Sequence, residues 1–245
     1  SSYDLNINMF NHFQNTITGW PGGKPGADDS TRPERKSPNY KRVIIFSPHP
    51  DDDVVSMGGT FDRLVSQGHE VHIAYQVKGN IAVSDHDALK FIEVSKDMFK
   101  NDSKVPVSQL IKELTNNKPD KIDSQAVRDL KGFIRKREAI AATRYIGIPD
   151  SNTHFMNLPF YDTGRIKKNP PTKKDVLITA SLIKKIKPHQ IFAAGDLEDP
   201  HGTHKVCLDI ILDALDTLKS EKFIKDCWLW LYLSLIHISE PTRLE

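Results

Sequence analysis

Cysteine is scarce in this sequence, which limits the kinds of protein it can encode. Among 245 residues there are two cysteines, Cys207 and Cys227. They are too far apart in the chain to form a closely spaced cysteine motif. A disulfide framework and a cysteine-based zinc knuckle both need more cysteines at closer spacing. We therefore expect both residues to be small apolar side chains in the core.

Long apolar runs and a large net charge are also missing. No stretch approaches the roughly 18 apolar residues of a membrane span, and the first residues lack the basic-then-apolar plan of a secretory signal. The formal net charge is only +2, and the lysine-rich stretches "RIKKNPPTKKD" and "LIKKIKPH" hold no interleaved aromatic residues. These features favour a cytoplasmic protein that binds neither membrane nor nucleic acid.

The chain divides into three parts by composition. Residues 1–40 include the stretch "GWPGGKPGADDSTRPERKSPNY", whose proline, glycine and charged residues predict a linker or arm at the end of an upstream module. Residues 41–232 carry the alternating apolar patterns of one folded domain. Residues 233–245, "LSLIHISEPTRLE", resemble a read-through of vector or adaptor DNA, and we expect a non-native tail there.

Strand and helix patterns alternate along residues 41–232. Strands are predicted at "RVIIF", "EVHIAYQV", "THFMNL", the segment ending near Ala194 and "DCWLWLY", and a long helix from about Ser124 to Ile146 with Gly147 as its stop. The polar stretch of residues 84–123 reads as helices and loops. This order predicts an α/β fold, a Rossmann-like and mostly parallel sheet with helices on both faces.

An unusual polar cluster follows the first predicted strand in "SPHPDDD". Pro50 keeps His49 out of helical geometry, and Asp51, Asp52 and Asp53 then stand at a helix N-terminus. The helix dipole stabilises each carboxylate by at most about 1 kcal/mol, which accounts for one or two aspartates but not for three beside a histidine. A bound cation is the better explanation, although a capped and solvated turn is the commoner use of such a run.

Two glycines occupy the next turn of the same helix. Gly58 and Gly59 each cost about 1 kcal/mol of helix propensity relative to alanine. We expect them to allow close packing of this helix against a strand, with room for a substrate as the alternative.

A second cluster, "DPHGTH", follows the fourth strand and opens a helix. His201 and His204 are three residues apart and share one helix face. Since the carboxyl ends of parallel strands meet at one edge of the sheet, both clusters should converge there. Two imidazoles, one carboxylate and an open position are the arrangement of catalytic zinc.

Four motifs together resemble one known family. "PHPDDD", the helix containing "IRKRE", "YDTG" and "DPHGTH" are similar to the zinc-dependent sugar de-N-acetylases, the PIG-L or LmbE-like proteins, over residues 42–232. The resemblance implies that His49, Asp52 and His204 bind Zn²⁺. It also makes Asp51 the general base and His201 the group that stabilises the oxyanion, with an N-acetylated amino sugar as substrate.

Further residues carry over from the same resemblance. Arg135 and Asp162 match positions that contact the sugar in relatives, and Glu138 matches a helix position with no role assigned. Asp53 stands where the family usually has glutamate, a shorter acid of the same charge. The linker is similar to the junction in two-part bacterial proteins in which a glucosamine-6-phosphate deaminase-like domain precedes this one. From this resemblance we expect the chain to be a carboxyl-terminal part of such a protein.

The residues themselves leave other functions open. Three aspartates would also suit magnesium and phosphoryl hydrolysis, although imidazole ligands favour zinc. A non-catalytic module that binds a sugar for an attached deaminase-like domain is the other alternative. A homo-oligomer is compatible with all of these functions.

Overall fold

The computed structural model describes residues 1–16, 40–98, 107–116, 122–163, 167–196 and 202–234. The predicted linker lies largely outside these residues, and so does most of the predicted tail. The helices are α1 Ser2–Thr16, α2 Asp52–Ser66, α3 Asp85–Met98, α4 Val107–Thr115, α5 Gln125–Ile146, α6 Lys173–Ile186 and α7 Thr203–Thr217. The strands are β1 Arg42–Ser47, β2 Glu70–Tyr75, β3 Thr153–Phe155, β4 Gln190–Ala194 and β5 Trp228–Tyr232.

All five strands pair in parallel in the order β3-β2-β1-β4-β5. From the central strand β1, the chain first builds outwards through β2 and β3, then returns to build β4 and β5 on the other side. The order therefore reverses between β1 and β4. Crevices outside the carboxyl ends of strands at such a reversal are the usual ligand sites of open α/β sheets.

Alternate residues of β1 enter two separate cores. Ile44 and Phe46 pack with Ile183 of α6 and Ile211 of α7, whereas Val43 belongs to the cluster on the opposite side of the sheet. That opposite cluster also contains Phe61 and Leu64 of α2 and Ala139 of α5. Helices therefore cover both faces of the sheet. Each fully buried aliphatic or aromatic side chain contributes about 1.5–3 kcal/mol to the stability of the fold. The predicted fold class is confirmed.

The capping of α5 follows its sequence closely. The Ser124 hydroxyl accepts a hydrogen bond from the backbone N–H of Val127, 3.3 Å away, and Gly147 closes the helix at a φ of +96°. A positive φ costs residues other than glycine about 1–2 kcal/mol, which explains why the helix stops at this residue. The predicted boundaries of this helix are confirmed, and they matter because α5 carries Arg135.

The polar stretch between β2 and α5 forms a small helical layer. In its described part, α3 and α4 pack Ala88, Ile92 and Leu110 against Val127 of α5. The ammonium of the buried Lys131 lies 2.6 Å from Asp85 and 2.7 Å from Asp123, so ion pairs fasten this layer to α5. No helix in the described ranges is long and apolar enough to cross a membrane.

Two histidines with little exposure make the fold sensitive to mild acid. Burial, followed by the charge of Lys41, lowers the pKa of His69 to about 4; burial, followed by His72 and Lys185, lowers the pKa of His154 to about 4. The ordinary value is 6.5. Between these values the unfolded chain binds more protons than the native one. This contribution to stability is therefore complete above pH 6.5 and is lost as the pH falls towards 4.

We expect the free energy of unfolding to fall by roughly 1.4 kcal/mol per pH unit for each of these histidines between pH 6.5 and 4. Denaturant titrations at about pH 7 and about pH 5 measure the slope in the parent protein and in the His69→Gln variant. Their difference isolates His69, because the buried Asp53, whose pKa is raised to about 6, contributes an opposite slope to both proteins. The His69→Gln variant should lose about half of the histidine contribution. An unchanged slope in that variant would contradict the assignment.

Candidate metal centre

The turn after β1 and the start of α7 meet beside the reversal in strand order. His49 lies in the turn between β1 and α2, Asp52 is the first residue of α2, and His204 lies in the first turn of α7. The two clusters that the sequence predicted to converge are therefore adjacent, as the shared edge of a parallel sheet requires.

Three donor atoms from these residues form a compact triangle. His49 Nδ1 lies 3.1 Å from His204 Nε2 and 3.3 Å from Asp52 Oδ2, and His204 Nε2 lies 3.4 Å from Asp52 Oδ2. A tetrahedral ion with bonds of about 2.0–2.1 Å holds its ligand atoms about 3.3–3.4 Å apart, because a tetrahedron's edge is about 1.63 bond lengths. The spacing and the donor types of this donor triangle fit a tetrahedral divalent metal.

Asp52 and His204 are each fixed by a further hydrogen bond. The backbone N–H of His49 donates to Asp52 Oδ2 over 2.8 Å, which orients the carboxylate towards the triangle. On the other side, His204 Nδ1 lies 2.6 Å from Asp196 Oδ2. Since a carboxylate accepts the Nδ1 proton, His204 Nε2 keeps a lone pair for the triangle.

Asp196 is a site residue that the sequence did not reveal. It is fully buried at the end of β4, and its second oxygen accepts the backbone N–H of Ser234 over 2.9 Å. Burial by itself raises the pKa of Asp196, but the hydrogen bonds from His204 and Ser234 outweigh it and bring the pKa below its ordinary value. The available signal was an acid directly after the apolar strand in "IFAAGD".

Asp51 and Arg135, predicted as base and sugar contact, lie next to each other. Arg135 Nη2 is 2.8 Å from Asp51 Oδ2, and Arg135 Nη1 is 3.4 Å from Glu138. The Asp51 side chain is 49% exposed, whereas that of Arg135 is 15% exposed. The carboxylate of Asp51 is thus open to solvent at the mouth of the site, and a nearly buried cation holds it in place.

The third aspartate of the run has a structural position. Asp53 is fully buried and accepts hydrogen bonds from the Ser47 hydroxyl at 3.1 Å and the Tyr75 hydroxyl at 2.9 Å. Burial raises its pKa to about 6, even though these hydrogen bonds act in the opposite direction. Asp53 joins the ends of β1 and β2 to α2 and does not face the donor triangle.

Asp162 stands in a separate charged group near α5. Its carboxylate lies 3.2 Å from the ammonium of Lys78 and 3.5 Å from Arg128 Nε. Its neighbour Tyr161 is buried, and the Tyr161 ring meets the His49 ring edge-on at a centroid distance of 6.0 Å. Asp162 is therefore adjacent in the chain to a residue that contacts a donor of the triangle. His201, the remaining predicted catalytic residue, lies outside the described residues.

The packing role predicted for Gly58 and Gly59 is wrong. A Cβ built on either glycine meets no described atom within 4 Å beyond its own helix and chain neighbours. The helix is instead distorted just before them, where Met57 has a φ of −141°. The space beside both glycines is open among the described residues, and its use by a substrate stays a prediction.

Comparison with known proteins decides the family. The family model described as PIG-L, GlcNAc-PI de-N-acetylase, matches residues 44–215, well over half of the chain. The chain belongs to the PIG-L family. The match extends from β1 into α7 and so includes all three residues of the donor triangle in this PIG-L protein.

A curated relative of this PIG-L protein is much longer. A putative glucosamine-6-phosphate deaminase-like protein of Bacteroides thetaiotaomicron is 52% identical over 241 residues, which is 95% of this chain and 36% of the relative. The chain thus spans about a third of the relative it matches. The relative's name agrees with the deaminase-like resemblance of the linker.

Solved structures were compared with this chain. The N,N'-diacetylchitobiose deacetylase from Pyrococcus horikoshii is 16% identical with a TM-score of 0.50, covering 80% of this chain and 61% of its own. A conserved protein from Thermus thermophilus is also 16% identical, with a TM-score of 0.48 and coverages of 82% and 68%. The first likeness supports the LmbE-like architecture of this PIG-L protein.

Proposed function

We propose that this protein is a zinc-dependent hydrolase that removes the N-acetyl group from an N-acetylated amino sugar or its conjugate and releases acetate. The observation that supports this proposal most strongly is the donor triangle in a chain of the PIG-L family. Two imidazoles and one carboxylate are the ligand set that leaves zinc an open position for catalysis.

His49, Asp52 and His204 would hold the metal, with Asp196 orienting His204 from behind. Bound zinc would supply Lewis-acid chemistry and make water more acidic near neutral pH. Imidazole donors argue against magnesium, which prefers oxygen ligands and keeps several waters.

Asp51 is the proposed general base. The reaction breaks the amide C–N bond, adds the oxygen of water to the acetyl carbon, and moves a proton to the departing nitrogen. Asp51 would take the proton from water and return it to the amine, which cannot leave as an anion. Arg135 keeps the carboxylate at the mouth of the site through its 2.8 Å contact.

The remaining predicted residues complete the proposal. Arg135 and Asp162 would contact the sugar, and His201 would stabilise the oxyanion and share in the proton transfer. Arg135 and Asp162 lie beside the loop that connects β2 to the turn at residues 80–82. In that loop, Lys78 contacts Asp162 and Gly79 lies next to Arg135.

Metal analysis and an acetate assay test the proposal together. The purified protein should contain about one zinc per chain and release acetate from N-acetylated amino sugars. A chelator should abolish turnover, and added zinc should restore it. Acetate release that survives metal removal, or a magnesium-only site, would overturn the proposal. Cytoplasmic location, the upstream deaminase-like module and homo-oligomeric assembly stay predictions.

A further inference from the structure

A lysine lies one aromatic ring away from the donor triangle. The ammonium of Lys168 is 3.8 Å from the centroid of the Tyr161 ring. That ring is buried, and it also meets the His49 ring edge-on at a centroid distance of 6.0 Å. A single side chain therefore stands between this positive charge and a residue of the donor triangle.

A short loop holds Lys168 beside Asp162, the predicted sugar contact. The backbone N–H of Asn169 donates to the carbonyl of Phe160 over 3.0 Å, so the two ends of the loop are joined. Both charged residues lie between these ends, and the charge of Asp162 acts on Lys168. A sugar that contacts Asp162 would therefore lie close to the ammonium of Lys168.

The carboxylate of Asp162 is shared with two other cations, which limits its effect on Lys168. The ammonium of Lys78 lies 3.2 Å from Asp162, and Arg128 Nε lies 3.5 Å from it. Burial lowers the pKa of Lys168 to about 8, and the charge of Asp162 offsets only part of this effect. The surroundings thus disfavour the charged ammonium on balance, and an anion placed beside it would stabilise it.

The chemistry and the position of Lys168 favour a phosphate as that anion. A lysine ammonium is a compact point charge with three donors, and it binds phosphate without the paired geometry that arginine uses. Lys168 is only partly buried, so its ammonium stays accessible from solvent. Because one side chain separates it from His49, the phosphate fits best on the same sugar ring as the acetamide.

We propose that Lys168 binds a phosphate carried by the amino sugar itself, so that the preferred substrate is an N-acetylated monosaccharide phosphate. This inference rests on the proposed function, which supplies the acetamide end of the substrate. The phosphate ester would stay intact, and the products would be acetate and an amino-sugar phosphate. Phosphates at O1 and at O6 share this chemistry, and the choice of substrates distinguishes them.

Kinetics with matched substrates and variants test the proposal. Acetate release is measured for N-acetylglucosamine, its 1-phosphate and its 6-phosphate, and we expect one phosphate to exceed the free sugar in kcat/KM. Lys168→Gln should reduce that preference roughly 10- to 100-fold, the size of a hydrogen bond between charged groups, and leave the free sugar nearly unchanged. Lys167→Gln is the matched control, because Lys167 precedes Lys168 in the same loop and is exposed to solvent.

Each result decides the question. Equal kcat/KM for the free and phosphorylated sugars, a Lys168→Gln loss that the free sugar shares, or an equal loss in Lys167→Gln would overturn the phosphate site. If no compound releases acetate, the proposed function fails, and titration calorimetry with the same three sugars tests Lys168 alone. Tighter binding of a sugar phosphate that Lys168→Gln weakens and Lys167→Gln does not then supports the site. Absence of binding, or equal binding of all three sugars, overturns it.

Discussion

Replacing Asp52 with alanine is expected to remove both the bound metal and the release of acetate. Asp52 supplies the only oxygen of the donor triangle, and its carboxylate lies 3.3 and 3.4 Å from the two histidine nitrogens. Losing a residue that merely orients a ligand typically weakens metal binding 10–100-fold. Loss of a ligand itself should exceed about 100-fold, and turnover should fall below detection. Zinc content after dialysis and acetate release measure the two effects.

The neighbouring aspartate provides the matched control for this substitution. Asp53→Asn alters an acid one residue away, but Asp53 contacts Ser47 and Tyr75 and lies outside the triangle. This variant should unfold at a lower temperature because a buried hydrogen-bonded group is changed, yet the folded protein should keep its zinc. Stoichiometric zinc in Asp52→Ala, or equal zinc loss in both variants, would contradict the ligand assignment.

Asp51→Asn should separate catalysis from metal binding. An amide cannot take a proton from water, so turnover should fall by about 10²–10⁴-fold, the range that a positioned acid–base group contributes. Zinc content should stay unchanged, because Asp51 is 49% exposed and pairs with Arg135 instead of joining the triangle. Acetate release at saturating substrate and metal analysis of the same sample provide the measurement.

A second partner of Arg135 supplies the control for that experiment. Glu138→Gln removes the other carboxylate near this guanidinium, 3.4 Å away and 53% exposed. If Asp51 mattered only as a salt-bridge partner, both variants would lose similar activity. We expect Glu138→Gln to lose much less activity than Asp51→Asn. Equal losses of activity would contradict the assignment of Asp51 as the base.

The sequence predicted the convergence of the two clusters because that result depends on local patterns. Apolar runs such as "RVIIF" mark strands, and parallel strands end at one edge whatever their order in the sheet. His49 and His204 are 155 positions apart, yet each follows a strand, and their ring nitrogens lie 3.1 Å apart. The motif and the fold class therefore implied the pair before any coordinates were known.

Features that depend on which side chains pack against each other could not be predicted from the sequence. The three consecutive aspartates look alike as letters, but Asp53 is buried against Ser47 and Tyr75 while Asp51 is open to solvent. The partner of His204 could not be told from sequence, since Asp196 is eight positions away and lies just after the end of β4. The wrong prediction for Gly58 and Gly59 has the same origin, because the distance from a helix to the element beside it depends on residues elsewhere in the chain.

The hydrogen bond from Ser234 to Asp196 joins the sheet margin to the metal centre. Ser234 follows β5, one of the two edge strands, and its N–H donates to the carboxylate that in turn contacts His204. Displacement of β5 from the edge of the sheet would therefore loosen the carboxylate that orients the imidazole of His204. The geometry of the donor triangle thus depends in part on a strand at the edge of the sheet.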